Sequence, residues 1–167
     1  MNIERSDGGD KRVLPMTSQR WSVGSIVAIE IEKDRFCYGL LLEQPHIAIF
    51  EGVYGPGFTP SDESLADAKV LFIICIYRYV ISKSIWKKVG QAPTLAKRIE
   101  IPPFYVYDRS SNRYWISFKD GKRIPATREE CIRLEREAVW ESDAVEDRIR
   151  DTIAGRPNKW LEAMQNY

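Results

Sequence analysis

Apolar residues along the chain fall first into short runs with the period of a β-strand and then, near the C-terminus, into helical spacing. Ser25-Ile26-Val27-Ala28-Ile29-Glu30-Ile31 is β-branched and lacks a helical period. Arg35-Phe36-Cys37-Tyr38-Gly39-Leu40-Leu41-Leu42 follows the polar stretch Glu32-Lys33-Asp34, so the two runs predict a hairpin. The period of two puts Phe36, Tyr38, Leu40 and Leu42 on one face and Cys37, Gly39 and Leu41 on the other. Both sets are small or apolar, which predicts cover on both faces. Gly39 reads as a bend in a curled sheet. After Pro45, residues 46–51 predict a third strand. Residues 52–60 are dense in glycine and proline and form a loop that carries Tyr54 and Phe58. Residues 61–68 suit a helical turn. Residues 69–80 are continuously apolar, as a central strand with both faces buried should be. Residues 84–90 predict a shorter strand and residues 92–103 a connecting segment. Phe104-Tyr105-Val106-Tyr107-Asp108 and Arg113-Tyr114-Trp115-Ile116-Ser117-Phe118 flank Arg109-Ser110-Ser111-Asn112 as a second hairpin, after which Asp120-Gly121 turns the chain.

The pattern then changes. Thr127-Arg128-Glu129-Glu130 matches a capping box, and Cys131, Leu134 and Ala138 follow on one helical face. Ser142 or Asp143 caps a second segment with the apolar face Val145, Ile149 and Ile153, and Gly155 suits its stop. Asn158 suits the cap of a last helix carrying Trp160, Leu161 and Met164. About seven strands followed by two or three helices predict an α+β domain. The expected form is a strongly curved, mainly antiparallel β-sheet or partly open barrel, with the C-terminal helices packed on one side. Residues 21–167 are expected to be one domain, β-rich over 21–124 and helical over 125–167. Residues 1–20 are polar without an apolar period and are expected to form a flexible tail.

Composition narrows the function. A chain of 167 residues can bury a core without disulfide or metal support. The formal net charge of +1 gives no strong global field for nucleic acid or an anionic membrane. Cys37, Cys75 and Cys131 are odd in number and not closely spaced, so they read as buried free thiols in a reducing compartment. Residues 1–20 lack the apolar stretch of a secretion signal. The longest apolar run, residues 70–77, is far short of the roughly 20 needed to span a bilayer. The expected location is cytoplasmic.

No catalytic constellation is visible. His46 is the only histidine, and nothing in the sequence supplies it with an orienting partner and a nucleophile. Gly55-Pro56-Gly57 lacks the lysine, hydroxyl residue and helix of a phosphate loop. Asp62, Glu63 and Asp67 lack the glycine pivot of a calcium loop. The expectation is a protein that is not an enzyme and has no cofactor and no metal. Aromatic residues are the stronger signal: five Trp, eight Tyr and six Phe exceed what a core of this size needs. Tyr54 and Phe58 lie in a loop. Tyr105, Tyr107 and Trp115 alternate with polar residues, and the two tyrosines either meet a partner or pack beneath the C-terminal helices. Loop aromatics and arginines anchor interfaces more often than strand residues do, so Tyr54, Phe58, Asp108, Arg109 and Arg113 are the candidate partner-binding residues. The densely charged helical tail is the other surface that qualifies.

Over residues 21–94 the chain resembles the immunity protein 26 family of bacterial polymorphic-toxin systems. The resemblance rests on Val23-Gly24-Ser25-Ile26-Val27-Ala28-Ile29, on Arg35-Phe36-Cys37-Tyr38-Gly39-Leu40-Leu41, on His46-Ile47-Ala48-Ile49-Phe50-Glu51, on Val70-Leu71-Phe72-Ile73-Ile74 and on Ile85-Trp86-Lys87-Lys88-Val89-Gly90. Ser25 stands where the family pattern has an acidic residue. The resemblance implies an immunity protein that binds and neutralises the effector domain of a cognate toxin by protein–protein interaction. The alternative is a nucleic-acid-binding β-barrel module, with Trp86-Lys87-Lys88, Lys97-Arg98 and Trp115 as contacts. A third reading, a small hydrolase around His46, requires that His46→Ala abolish a reaction.

Overall fold

A computed structural model describes residues 18–165. Residues 1–17 of the expected tail lie outside the described residues. Gln19 is already tied to the sheet: its side chain donates to the carbonyls of Ile81 at 3.0 Å and Trp86 at 2.9 Å, and accepts from the Lys88 amide at 2.9 Å.

Strands β1 (Ser25–Glu32) and β2 (Arg35–Leu41) form the first hairpin, turned by Lys33 and Asp34 with Asp34 at φ 56°. Aspartate is among the few non-glycine residues that tolerate this left-handed conformation. Strands β3 (His46–Phe50) and β4 (Val70–Ile76) continue the antiparallel order. The chain then makes helix α1 (Tyr79–Ser82), strand β5 (Lys87–Gln91), helix α2 (Pro93–Arg98) and the strands β6 (Phe104–Asp108), β7 (Arg113–Ser117) and β8 (Arg123–Ala126). Helix α3 (Arg128–Cys131), strand β9 (Val139–Trp140), helix α4 (Ser142–Ala154) and helix α5 (Lys159–Gln165) complete it. The six-stranded sheet has the order β5-β1-β2-β3-β4-β9, antiparallel except where β4 meets β9 in parallel; β6-β7-β8 is a separate antiparallel sheet. The expected single sheet is thus two open sheets, and the described strands close no barrel.

Alternation along the strands builds two cores. Val27, Ile29, Cys37, Leu41, Ile47, Ile49, Phe72 and Ile74 face one way, with Trp86, Trp140, Val145 and Ile149. Ile26, Tyr38, Leu40, Ala48 and Phe50 face the other, with Leu65 and Leu95. Cover on both faces is therefore observed. Helix α4 lies against β1: Arg150 Nε donates to the Ile31 carbonyl at 2.7 Å, and Trp86 Nε1 donates to Glu146 at 3.0 Å. Gly155 at φ 65° ends α4, and Asn158 Oδ1 accepts from the Trp160 and Leu161 amides of α5, as their positions predict. Ile153 is the exception on α4, being 44% exposed.

Five expectations need correction. The N-cap of α4 is Glu141, without a side-chain cap bond, and Ser142 and Asp143 lie inside the helix. Gly39 marks a close approach, since a Cβ there would stand 2.6 Å from Ile47 Cδ1. The strand expected over 69–80 ends at Ile76, and residues 79–82 form a helical turn that still buries Val80 and Ile81. The connector over 92–103 contains α2, whose first-turn amides of Thr94 and Leu95 donate to the Asp62 carboxylate at 3.2 and 2.9 Å. The capping box of Thr127 and Glu130 is present, but the helix it starts stops after one turn. Residues beyond it run beside β6, where the Tyr105 amide donates to the Glu135 carbonyl and the Glu137 amide donates to the Tyr105 carbonyl. Pairing with a strand edge overrides the helical spacing of Leu134 and Ala138.

Candidate functional site

Tyr54 and Phe58 return to the sheet. Tyr54 and Phe36 exchange backbone hydrogen bonds, both of 2.9 Å. The Tyr54 and Phe58 rings stack with centroids 4.1 Å apart, and Tyr38 lies 5.4 and 5.5 Å from them. Both candidates are half-buried and close over the second core. Such ring pairs add about 0.5–1.5 kcal/mol beyond their buried area. These residues therefore stabilise the fold whatever else they touch.

Asp108, Arg109 and Arg113 sit at the tip of the small sheet. The Asp108 carboxylate accepts from the Ser110 amide at 3.0 Å, the Ser110 hydroxyl at 2.6 Å and the Ser111 hydroxyl at 2.5 Å. These bonds hold its carboxyl below the usual aspartate range. Its role is to fix the turn from which the exposed Arg109 and Arg113 project. The candidates thus form two groups, one on the loop beside the six-stranded sheet and one on the tip of the three-stranded sheet.

A third surface lies between the small sheet and the C-terminal segment. A groove of about 510 Å³ is bounded there by β6, β7, α3, residues 132–136 and α5. Half-buried Tyr105, Leu134, Leu161 and Met164 line it, together with exposed Arg128 and Arg133. Beneath it, Arg148 is 6% exposed. Its guanidinium lies 3.8 Å from the Phe72 ring centroid and pairs with Glu135. Arg136 Nη1 donates to the Met164 carbonyl at 3.1 Å and anchors α5. None of the groove's lining residues was among the candidate partner-binding residues; the sequence left Tyr105 either to meet a partner or to pack beneath the helices, and named the charged C-terminal tail as a second qualifying surface. The groove's signal was the charged run from Arg128 to Arg136, which reads as a solvated helix face until the chain leaves the helix at Ile132.

The remaining chemistry is structural. His46 Nδ1 is 3.0 Å from the Glu43 carbonyl, and its ring lies 5.5 Å from Phe104, joining the two sheets. Burial lowers its pKa, against opposing pulls from Glu43 and Glu137. Burial also pushes the Cys37 and Cys75 thiols up to about 11, and all three cysteines are buried and free. Asp62 serves α2, and no group of three metal-ligating residues is gathered among the described residues. Trp86, a stacking residue in the nucleic-acid reading, is 1% exposed with its indole committed to Glu146, so no base can stack on it. No helix among the described residues is long and apolar enough to cross a membrane.

The glycines and the serine of the sequence resemblance have clear structural duties. Gly24 adopts φ 89°, and a Cβ on Gly90 would stand 2.5 Å from the Pro60 carbonyl oxygen. Ser25 is 3% exposed and its hydroxyl lies 2.7 Å from that of Ser22, so a small neutral side chain fills the position where the pattern has an acid. Comparison with curated proteins and with solved structures finds no match. Comparison with family models matches residues 22–116 to immunity protein 26, a span that runs from before β1 into β7 and holds every strand of the large sheet except β9. The chain belongs to the immunity protein 26 family.

Proposed function

We propose that this chain is a cytoplasmic immunity protein that binds the effector domain of a cognate bacterial toxin and neutralises it by protein–protein interaction, with no catalysis of its own. The observation that carries this reading is the family match over residues 22–116. It is supported by the structural duties of His46, of the cysteines and of Asp62, each of which accounts for a chemically capable group within the fold. Tyr54, Phe58, Arg109 and Arg113 are the proposed contacts, with Asp108 holding the turn beneath the two arginines. Tyrosine, phenylalanine and arginine offer large contact area or bidentate bonding at modest entropic cost. Residues 21–167 are taken to act as one unit, because Trp140, Val145 and Ile149 share a core with β1 to β4.

The test is co-expression with a toxin-like protein encoded beside this chain. The expected result is restored growth and co-purification of the chain with the toxin's C-terminal domain. A toxic neighbour that this chain neither binds nor neutralises would overturn the reading.

A further inference from the structure

We infer that the groove between the three-stranded sheet and the C-terminal segment is a seat for an acidic, apolar-tipped segment of the protein partner. This deepens the immunity reading and rests on it. Charge is the first argument. Four guanidinium groups line the groove, those of Arg128, Arg133, Arg136 and Arg148, against the single carboxylate of Glu135. Glu135 is already paired with Arg148. Arg128 and Arg133 are exposed and make no ion pair among the described residues. The nearby Glu130 is turned back onto the Thr127 amide at 2.7 Å. With a whole-chain charge of +1, this excess is a local feature.

Apolar surface is the second argument. Tyr105, Leu134, Leu161 and Met164 leave apolar atoms facing the groove. Beside them Ile132, where the chain leaves α3, is 74% exposed. Methionine, tyrosine and arginine together form an adaptable and enriched interface composition. A carboxylate-flanked apolar side chain matches both features, whereas the two rings of the groove, Tyr105 and Tyr114, are half-buried and offer a nucleic-acid base little face to stack on. Position is the third argument. The family match ends at residue 116, so of the groove only Tyr105 and Tyr114 come from the matched span. Most of the groove therefore lies outside the matched span, where the choice of one partner can be set without altering the matched sheet.

The test measures the affinity of the full chain for the effector domain of the toxin encoded beside it. Reversing both exposed charges, Arg128→Glu with Arg133→Glu, is expected to weaken binding about 30-fold, to flatten its dependence on salt and to abolish growth rescue, with an unchanged thermal melt. The same reversal at Lys33, in the turn between β1 and β2, and at Lys87, on β5, is expected to leave affinity unchanged. Should the reversed groove variant be poorly folded, Arg128→Ala with Arg133→Ala gives the decision, with an expected loss of about tenfold. Wild-type affinity in a folded groove variant would overturn the groove while leaving the immunity reading intact. Failure of the wild-type chain itself to bind or rescue would overturn both. Self-association or oligonucleotide binding that the groove variant loses while toxin affinity stays constant would give the groove to a second copy or to nucleic acid, against the inference.

Discussion

Gly90 lies where the backbone of β5 passes under the Pro60 carbonyl, and a methyl group there would meet a backbone oxygen at 2.5 Å. A carbonyl fixed in the chain cannot swing aside as the end of a side chain can. Gly90→Ala is therefore expected to cost about 1–3 kcal/mol, read as a lower urea midpoint. Gly57→Ala is the matched control. Nothing lies within 4 Å of a Cβ at Gly57, so its stability should stay within about 0.5 kcal/mol of wild type. The thiols make a separate prediction. Burial raises Cys37 and Cys75 from 9.0 to about 11, so the folded protein keeps protons that the unfolded chain releases. Their contribution to stability is complete below pH 9 and falls as pH rises toward 11. The melting temperature is expected to drop across that window, and to drop less in Cys37→Ala with Cys75→Ala. An identical slope in that variant would show that the thiols are not the cause.

Among the elements, α2 shows how a short helix is held in place. Pro93 sits in its first turn, where no amide is needed, and Asp62 from a distant loop accepts from the next two amides. Desolvation pushes the Asp62 carboxyl up, but the Leu95 and Thr94 bonds and nearby Arg98 outweigh it and hold it below its ordinary 3.8. Its support is thus full above that value and fades as pH falls through the lowered pKa. Asp62→Ala is expected to lower the urea midpoint at pH 7 and to lose that effect in strong acid. From the sequence alone this segment reads as a connector, because the Asp62 carboxylate that caps the helix is far from Leu95 along the chain. The same distinction runs through the fold. The two hairpins, the cap of α5 and the glycine stop of α4 depend on neighbours within a few residues and could be read directly. Pairing of residues 132–138 with β6, and with it the groove, depends on contacts between distant segments. Strand β8 was hidden by Pro125, which an edge strand tolerates and a central one does not.

At the scale of the molecule, one buried cation joins the shared apolar core in fastening the C-terminal segment to the sheet. Arg148 packs against Phe72 and Trp140 and depends on Glu135 for its counter-charge. Glu135→Ala is expected to cost about 3 kcal/mol, because it strands a buried guanidinium, and Glu135→Leu with Arg148→Met should recover most of that loss. A double variant as unstable as the single one would show that packing, not charge, is at issue. A chain that neutralises by occupancy must be consumed mole for mole. The most direct measurement titrates the purified effector domain with this chain and follows residual toxin activity. The expected result is a linear fall that reaches its floor at one equivalent, with the chain recovered intact from the complex. Neutralisation by a small fraction of an equivalent would mean turnover, and undiminished activity at excess would mean no recognition; either would contradict it.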